Sequence, residues 1–366
     1  VSGRIEFANS LRGIASLVVM LGHYVFVFHG LRGAYGGMTK LSEPVFPALM
    51  PFAHLGISNF AFGTFGVALF FLVSGFVIPF SLEKYSKHSF GMFRFMIARF
   101  FRLWPVYLCG FAISIAFRWI SFDGSSIQDS YTAKDLFLHV TLFRDWFGGL
   151  SLDGIVWTLE VEVKFYILSA ILASFTMKGK PYVAIVAGAA ALAGMYYAVK
   201  FPQGWMPPSN FLYSAKFILF MTIGTQFYLV MKKIISMKAM LAYTLLSLIL
   251  FVLAAPVVVR ESYVLAFLVF SICYLARESF TENRFVGFFA NISYPMYAMH
   301  AVFGYVSMRL MIDAGVYNYL ALVIQIGITC AVAYLIHRYV EKPSQKLGSR
   351  ISLIELNDRI KRKQVA

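Results

Sequence analysis

Apolar stretches of about 20 residues, each long enough to cross a hydrocarbon layer as one helix, follow one another along almost the whole chain. This repetition makes lipid, rather than water, the medium in which the chain folds. Composition agrees: 60% of the 366 residues are hydrophobic and only 13% are charged, against about a quarter in soluble domains. Mean hydropathy is +0.72. A soluble enzyme, a disordered chain and a secreted disulfide scaffold are excluded. Cys109, Cys273 and Cys330 all lie inside apolar stretches; with an odd count and that placement, a disulfide framework is not expected. Nor is a cleavable signal peptide, because no small-residue cleavage site follows the first apolar run, which starts at Leu11.

Windows of ~19 residues predict about ten spans, near 11–28, 64–81, 103–120, 157–176, 181–199, 211–231, 239–257, 262–277, 287–309 and 318–338. The Arg260-Glu261 pair separates the seventh from the eighth. With a cytoplasmic N-terminus, one face receives Lys84, Lys87, Arg94, Arg99, Arg102, Lys178, Lys180, Lys232, Lys233, Lys238, Arg277 and Arg284, and then the basic tail. The loop between Ile120 and Val156, on the other face, carries Asp123, Asp129, Asp135, Asp145 and Asp153. Basic loops alternate with poorly basic ones throughout, as the positive-inside rule requires. The expected fold is therefore an all-α, polytopic transmembrane helix bundle with both termini cytoplasmic. Residues 1–347 form the membrane domain and 348–366 a basic cytoplasmic tail, with no soluble domain fused at either end. The formal net charge of +15 then reflects topology and anionic lipid headgroups, and no nucleic-acid partner is expected.

Charged and titratable residues inside spans are costly and generally face a bundle interior. The first span holds Arg12 and His23, eleven positions apart. That is close to three helical turns, so both share one face, ~16 Å apart along the axis. Arg12 is expected at the cytoplasmic mouth, where a cation can hold an anionic cosubstrate. His23, deeper in the same groove, can take a proton from a hydroxyl. The bland alternatives are an arginine snorkelling to headgroups and a histidine that only packs. His300, about twelve residues into the ninth span, should reach a similar depth. Glu160 and Lys164 are spaced to neutralise each other at i,i+4. Glu162 points away from that pair, which makes it the better functional carboxylate. Arg99 and Arg102, three apart among aromatics in Arg99-Phe-Phe-Arg102-Leu-Trp-Pro-Val-Tyr107, can grip a phosphate; ordinary positive-inside anchoring competes with that reading. Ser74-Gly75 places a small pair in the second span, which permits close helix approach. No zinc-ligand spacing, glycine-rich phosphate loop or serine nucleophile elbow is present, and no metal site is expected.

Taken in order, these pieces resemble the acyltransferase-3 family of integral membrane O-acyltransferases. The resemblance runs from about Asn9 to Leu347. It is carried by Asn9-Ser-Leu-Arg12-Gly with His23, by Phe65-Gly-Val-Ala-Leu-Phe-Phe-Leu-Val-Ser74-Gly75-Phe76 and by Arg99-x-x-Arg102 with its following Pro105. It continues in Trp157-Thr-Leu-Glu-Val-Glu162-Val-Lys-Phe165-Tyr166, Ile292-Ser-Tyr-Pro-Met-Tyr297-Ala-Met-His300 and Glu341-Lys-Pro343. Thr158 stands where serine is commoner, and Val163 where a second acid often follows Glu162. The resemblance implies transfer of an acyl group, most commonly acetyl, from cytoplasmic acyl-CoA to a hydroxyl of a cell-envelope saccharide or glycolipid. It implies a multi-pass protein of the inner (plasma) membrane, of the type without a fused SGNH domain. Acyl-CoA is a cosubstrate; no permanently bound cofactor is implied. In these terms His23, Glu162 and His300 are the candidate catalytic residues, Arg12, Arg99 and Arg102 hold the CoA, and Trp157, Tyr297 and Ser74 bind substrate. A transporter or flippase of a glycolipid or saccharide also uses intramembrane His, Arg and Glu, and a small natural product is an alternative acceptor. Direct attack by the acceptor and an acyl-histidine relay both remain open.

Overall fold

The computed structural model describes residues 3–28, 44–120, 131–200, 213–281 and 283–352. Among these there is no strand. The elements are α1 (Gly3–Leu21), which continues as a π-helical segment over Gly22–Val27, α2 (Phe62–Ser86), α3 (Gly91–Ile120), α4 (Ala133–Thr141), α5 (Arg144–Phe147), α6 (Val156–Ile171) and α7 (Ala173–Met177). They go on with α8 (Tyr182–Lys200), α9 (Ala215–Met231), α10 (Met237–Ala254), α11 (Val257–Leu275), α12 (Arg284–Asp313) and α13 (Asn318–Ile336), followed by a second π-helical segment, His337–Glu341. Each of the ten expected spans coincides with one of the longer helices. The expected tail beyond Ser352 and the acidic positions Asp123 and Asp129 lie outside the described residues.

Seven of these helical stretches are long and apolar enough to cross a membrane by themselves. The chain is an all-α, multi-pass membrane protein. Helices α6, α9 and α12 fall outside those seven, for reasons that reflect their position. α6 carries Glu160, Glu162 and Lys164, α9 is 17 residues long, and α12 contains the buried Ser293, Pro295 and His300. A helix surrounded by other helices need not satisfy lipid along its whole length. The division between α10 and α11 comes at Pro256, where a proline opens the next helix. Arg260 and Glu261, expected to mark the break, sit in the early turns of α11.

Helix α12 packs against α1, α3 and α13, while α2 packs against α1, α9 and α11. α1 and α2 are thus the centre: 56% and 67% of their apolar windows are buried, against 11% for α8. Gly75 shows how tightly the centre closes. A Cβ there would stand 1.9 Å from the Met221 carbonyl oxygen of α9, so only glycine fits. That contact fixes which face of α2 meets α9 and turns the neighbouring Ser74 toward α6.

The chain also runs well past the hydropathy windows at several ends. α1 begins at Gly3 and α3 at Gly91. Arg12 therefore stands about two and a half turns into α1, and Arg99 and Arg102 stand within α3. Above the opposite end of the bundle, the segment around 53–61 is tied down by α11. Glu261 accepts from the Asn59 backbone N–H (2.8 Å) and side-chain amide (3.1 Å), and the Ser262 hydroxyl accepts from the Ala61 N–H (3.0 Å).

Candidate active site

Two adjoining cavities occupy the centre. The first, of about 880 Å³, lies between α1, α2, α3, α6 and α12 and is lined by Arg12, Ser74, Arg99, Arg102, Glu162 and Tyr297, among others. Six of the nine residues singled out from the sequence thus meet in one space. The second, of about 1220 Å³, takes in His23, Trp157 and, again, Tyr297. His300 lines neither; it is buried behind His23, with ring centroids 4.8 Å apart.

Charge distinguishes the first cavity. Among the described residues no carboxylate lies within ion-pair distance of Arg12, Arg99 or Arg102. Arg12 has only a long contact to the Ser293 hydroxyl, 3.4 Å. The Arg99 guanidinium lies against the rings of Phe95 and Tyr166, and its buried Nε has no partner. Glu162, the one carboxylate in the lining, is engaged by the hydroxyls of Ser74 (3.2 Å) and Tyr166. Charge pairing along the helix offers it no local partner; the structure supplies Tyr166 one turn on and Ser74 from α2. Three guanidinium groups against one carboxylate leave the cavity with a positive excess. In a membrane interior such an excess is expensive unless an anion balances it.

A few steps along α6 the charges behave differently. Glu160 and Lys164, expected to neutralise each other, take their partners from α5. Glu160 accepts from Arg144 (2.5 Å) and from the Asp145 N–H (3.2 Å), while Lys164 pairs with Asp145 and donates to the Ser214 hydroxyl (2.8 Å). The bland expectation of neutralisation holds for the charge and fails for the partners.

His23 lies in the π-helical segment, a geometry that concentrates at functional sites. Its Nδ1 is 2.7 Å from the Tyr305 hydroxyl. Gly63, opening α2, leaves room for the ring: a Cβ there would come 3.3 Å from Nε2. In His300 the Nδ1–H donates to the Tyr297 carbonyl (2.9 Å), so Nε2 holds a lone pair; it is buried and unpartnered. The His300 backbone is braced by Tyr24, whose hydroxyl donates to the His300 carbonyl (3.0 Å) and lies 2.8 Å from the Thr329 hydroxyl.

Sequence reasoning missed several groups. Tyr263 of α11 lines the histidine cavity with a buried hydroxyl that has no partner, and a tyrosine among apolar residues gives no signal of that. His54 lies at the same cavity and donates from Nδ1 to the Phe60 carbonyl (2.9 Å), leaving its Nε2 an acceptor. Tyr107 lines the arginine cavity and joins a buried cluster beneath α4: its hydroxyl meets Asp153 (3.1 Å) and His139 Nδ1 (3.0 Å). Asp153 also accepts from the N–H groups of Ile155 and Val156, which start α6. Burial lowers the His139 pKa below its usual value.

Comparison with known proteins places this geometry. No curated protein and no solved structure matches the chain. Residues 5–338 match the family model described as an acyltransferase domain. That match contains both cavities and every residue named as lining them, and the chain belongs to the acyltransferase-3 family of membrane acyltransferases.

Proposed function

We propose that the protein transfers an acetyl group from cytoplasmic acyl-CoA to a hydroxyl of a cell-envelope saccharide or glycolipid, from a site in the inner membrane. The observation that carries this reading is the positive excess of the first cavity. Arg12, Arg99 and Arg102 converge without anionic partners, and the phosphates of CoA supply the missing charge in a form that arginine grips well.

The thioester, at the far end of the CoA arm, then reaches toward His23, and the acceptor occupies the second cavity. The aromatic walls there, with Trp157 and the free hydroxyl of Tyr263, suit the mixed apolar and hydroxylic surface of a sugar. His23, donating from Nδ1 to Tyr305, presents the Nε2 lone pair to the acceptor. As the acceptor oxygen bonds to the thioester carbonyl carbon, its proton passes to Nε2. When the tetrahedral intermediate collapses the C–S bond breaks, the thiolate leaves with its electron pair, and the imidazolium returns the proton to give free CoA. Direct attack needs no covalent enzyme intermediate. His300 acts as a positioning residue behind His23, and Glu162 holds Ser74 and Tyr166 at the floor of the donor cavity.

The test is release of CoA from acetyl-CoA by purified protein in detergent, first with water as acceptor. Slow, His23-dependent release is expected. A transporter gives none. Envelope glycans compared between a deletion strain and its parent then identify the acceptor by a lost acetyl group.

A further inference from the structure

His23 is flanked in the chain by two residues that close onto different helices. On one side Gly22 meets α2: a Cβ there would stand 2.8 Å from the Gly63 backbone nitrogen. On the other side Tyr24 lies across α12, in a notch that a glycine leaves open: a Cβ at Gly304 would stand 2.2 Å from the tyrosine oxygen and from its Cε1. The π-helical turn is thus clamped between α2 and α12, immediately before and after His23.

Tyr24 is also fully buried and joins three helices by hydrogen bonds. Its hydroxyl proton goes to the His300 carbonyl (3.0 Å), which can only accept. At the 2.8 Å contact with Thr329 the threonine therefore donates and Tyr24 accepts. Thr329 in turn accepts from the Gln325 amide (3.1 Å), and the Gln325 side-chain carbonyl accepts from Ser307 (2.6 Å). One directed chain leaves α12 at Ser307, crosses α13 and returns through Tyr24 to α12 at His300. Tyr24 therefore adjoins one histidine in sequence and holds the backbone of the other, and the two rings meet at 4.8 Å between centroids.

We propose that Tyr24 is a positioning residue: by pinning the turn that carries His23 to the backbone of His300, it fixes the bearing of the base and the spacing of the two imidazoles. This inference rests on the transferase reading above, with His23 as base. A base has to stand within hydrogen-bond reach of the proton it takes, and a misplacement of 1 Å can cost about 10²-fold in rate. A π-helical turn is a rare departure from the regular helix, so the bearing of His23 has to be fixed from outside the turn. Gly63 and Gly304 provide the seats, and the Tyr24 hydroxyl provides the directional bond.

The experiment measures kcat and KM for acetyl-CoA, from CoA release by purified protein with water as acceptor, together with the ligand-free melting temperature. Tyr24→Phe keeps the ring in its notch and deletes the bond to His300. Its kcat should fall by about 10–100-fold, with KM and a monodisperse peak in detergent unchanged. Thr329→Val removes a bond from the same hydroxyl and leaves the one to His300. It should lower the melting temperature and keep the wild-type kcat. A Tyr24→Phe protein with wild-type kcat overturns the pin while leaving the transferase intact. So does a loss carried by KM, and so does an equal loss of kcat in both variants, which stability alone would produce. Wild-type protein that releases no CoA, or His23→Ala protein that releases it at the wild-type rate, defeats the reading on which the pin rests.

Discussion

Two clusters of buried charge lie within a few turns of α6, and they are organised in opposite ways. In the outer one, Arg144 meets Glu160 and Lys164 meets Asp145, so positive and negative charges balance inside the protein. In the inner one, Arg12, Arg99 and Arg102 share a cavity with a single carboxylate that is itself bound to hydroxyls. A balanced cluster ties helices together and is complete as it stands. An unbalanced one is a stored electrostatic cost, and only a ligand of opposite charge relieves it. Scaffold and candidate binding site are therefore separable here by charge balance alone, although both draw on one helix and use the same residue types.

The contrast breaks most visibly at the chemistry. His23→Ala is expected to lower the acyl-transfer rate by about 10²–10⁴-fold, the usual contribution of a general base. The melting temperature and the affinity for CoA, read by thermal shift and by calorimetry, should stay close to wild type. A variant that retains most of its turnover moves the base elsewhere. Next in size is the balanced cluster. Lys164→Met strands Asp145 in the interior and should destabilise the protein by about 3–5 kcal/mol. Adding Asp145→Leu should recover much of that loss. Additive losses in the double variant would mean that the pair does not act as a unit.

The unbalanced cluster should respond with the opposite signature. Arg99→Met or Arg102→Met is expected to weaken CoA binding by about 1–3 kcal/mol, the range for a charged hydrogen bond. The melting temperature without ligand should hold or rise, because an uncompensated cation is removed. A fall in ligand-free stability as large as that of Lys164→Met would erase the distinction between the clusters. The smallest effect concerns pH. His139 binds its proton less readily folded than unfolded, because burial lowers its pKa from the ordinary 6.5. The unfolded chain therefore takes up more protons as the pH falls, and stability present above about 6.5 declines on acidification below it. His139→Gln should flatten that part of the stability profile, measured by chemical denaturation between pH 7 and 5.

The spans and the membership of the arginine cavity were legible in the sequence, since charge inside an apolar stretch is conspicuous. The three-residue spacing of Arg99 and Arg102 and the eleven-residue offset of Arg12 and His23 both translate directly into helix faces. Less could be read where a partner comes from a distant segment. Glu160 finds Arg144 across sixteen positions, and the local i,i+4 rule has no access to that. Asp153 reads as one more acid in an outer loop, yet it is 1% exposed and starts α6. Hydropathy windows stop at the first charges, whereas the backbone ladder runs on through Arg94 and Glu83, so the helices are longer than the windows predict. Span position predicts one depth for the two histidines, and they do meet, but only side-chain packing puts His300 behind His23 rather than beside it in the cavity.

The π-helical segment over Gly22–Val27 has a consequence for how this protein can change. A wider turn accommodates one more residue than an α-helix of the same length, and it hydrogen-bonds less favourably. Removing one residue from this stretch would let α1 run straight to its end, a simpler and more robust helix. Removal of Gly22 in particular would rotate His23 by roughly 100° away from its present bearing. If His23 is the proposed base, the activity hangs on a surplus residue that the fold alone would discard. Stabilising redesign that regularises α1 should therefore yield a sturdier membrane protein with His23 turned out of its cavity.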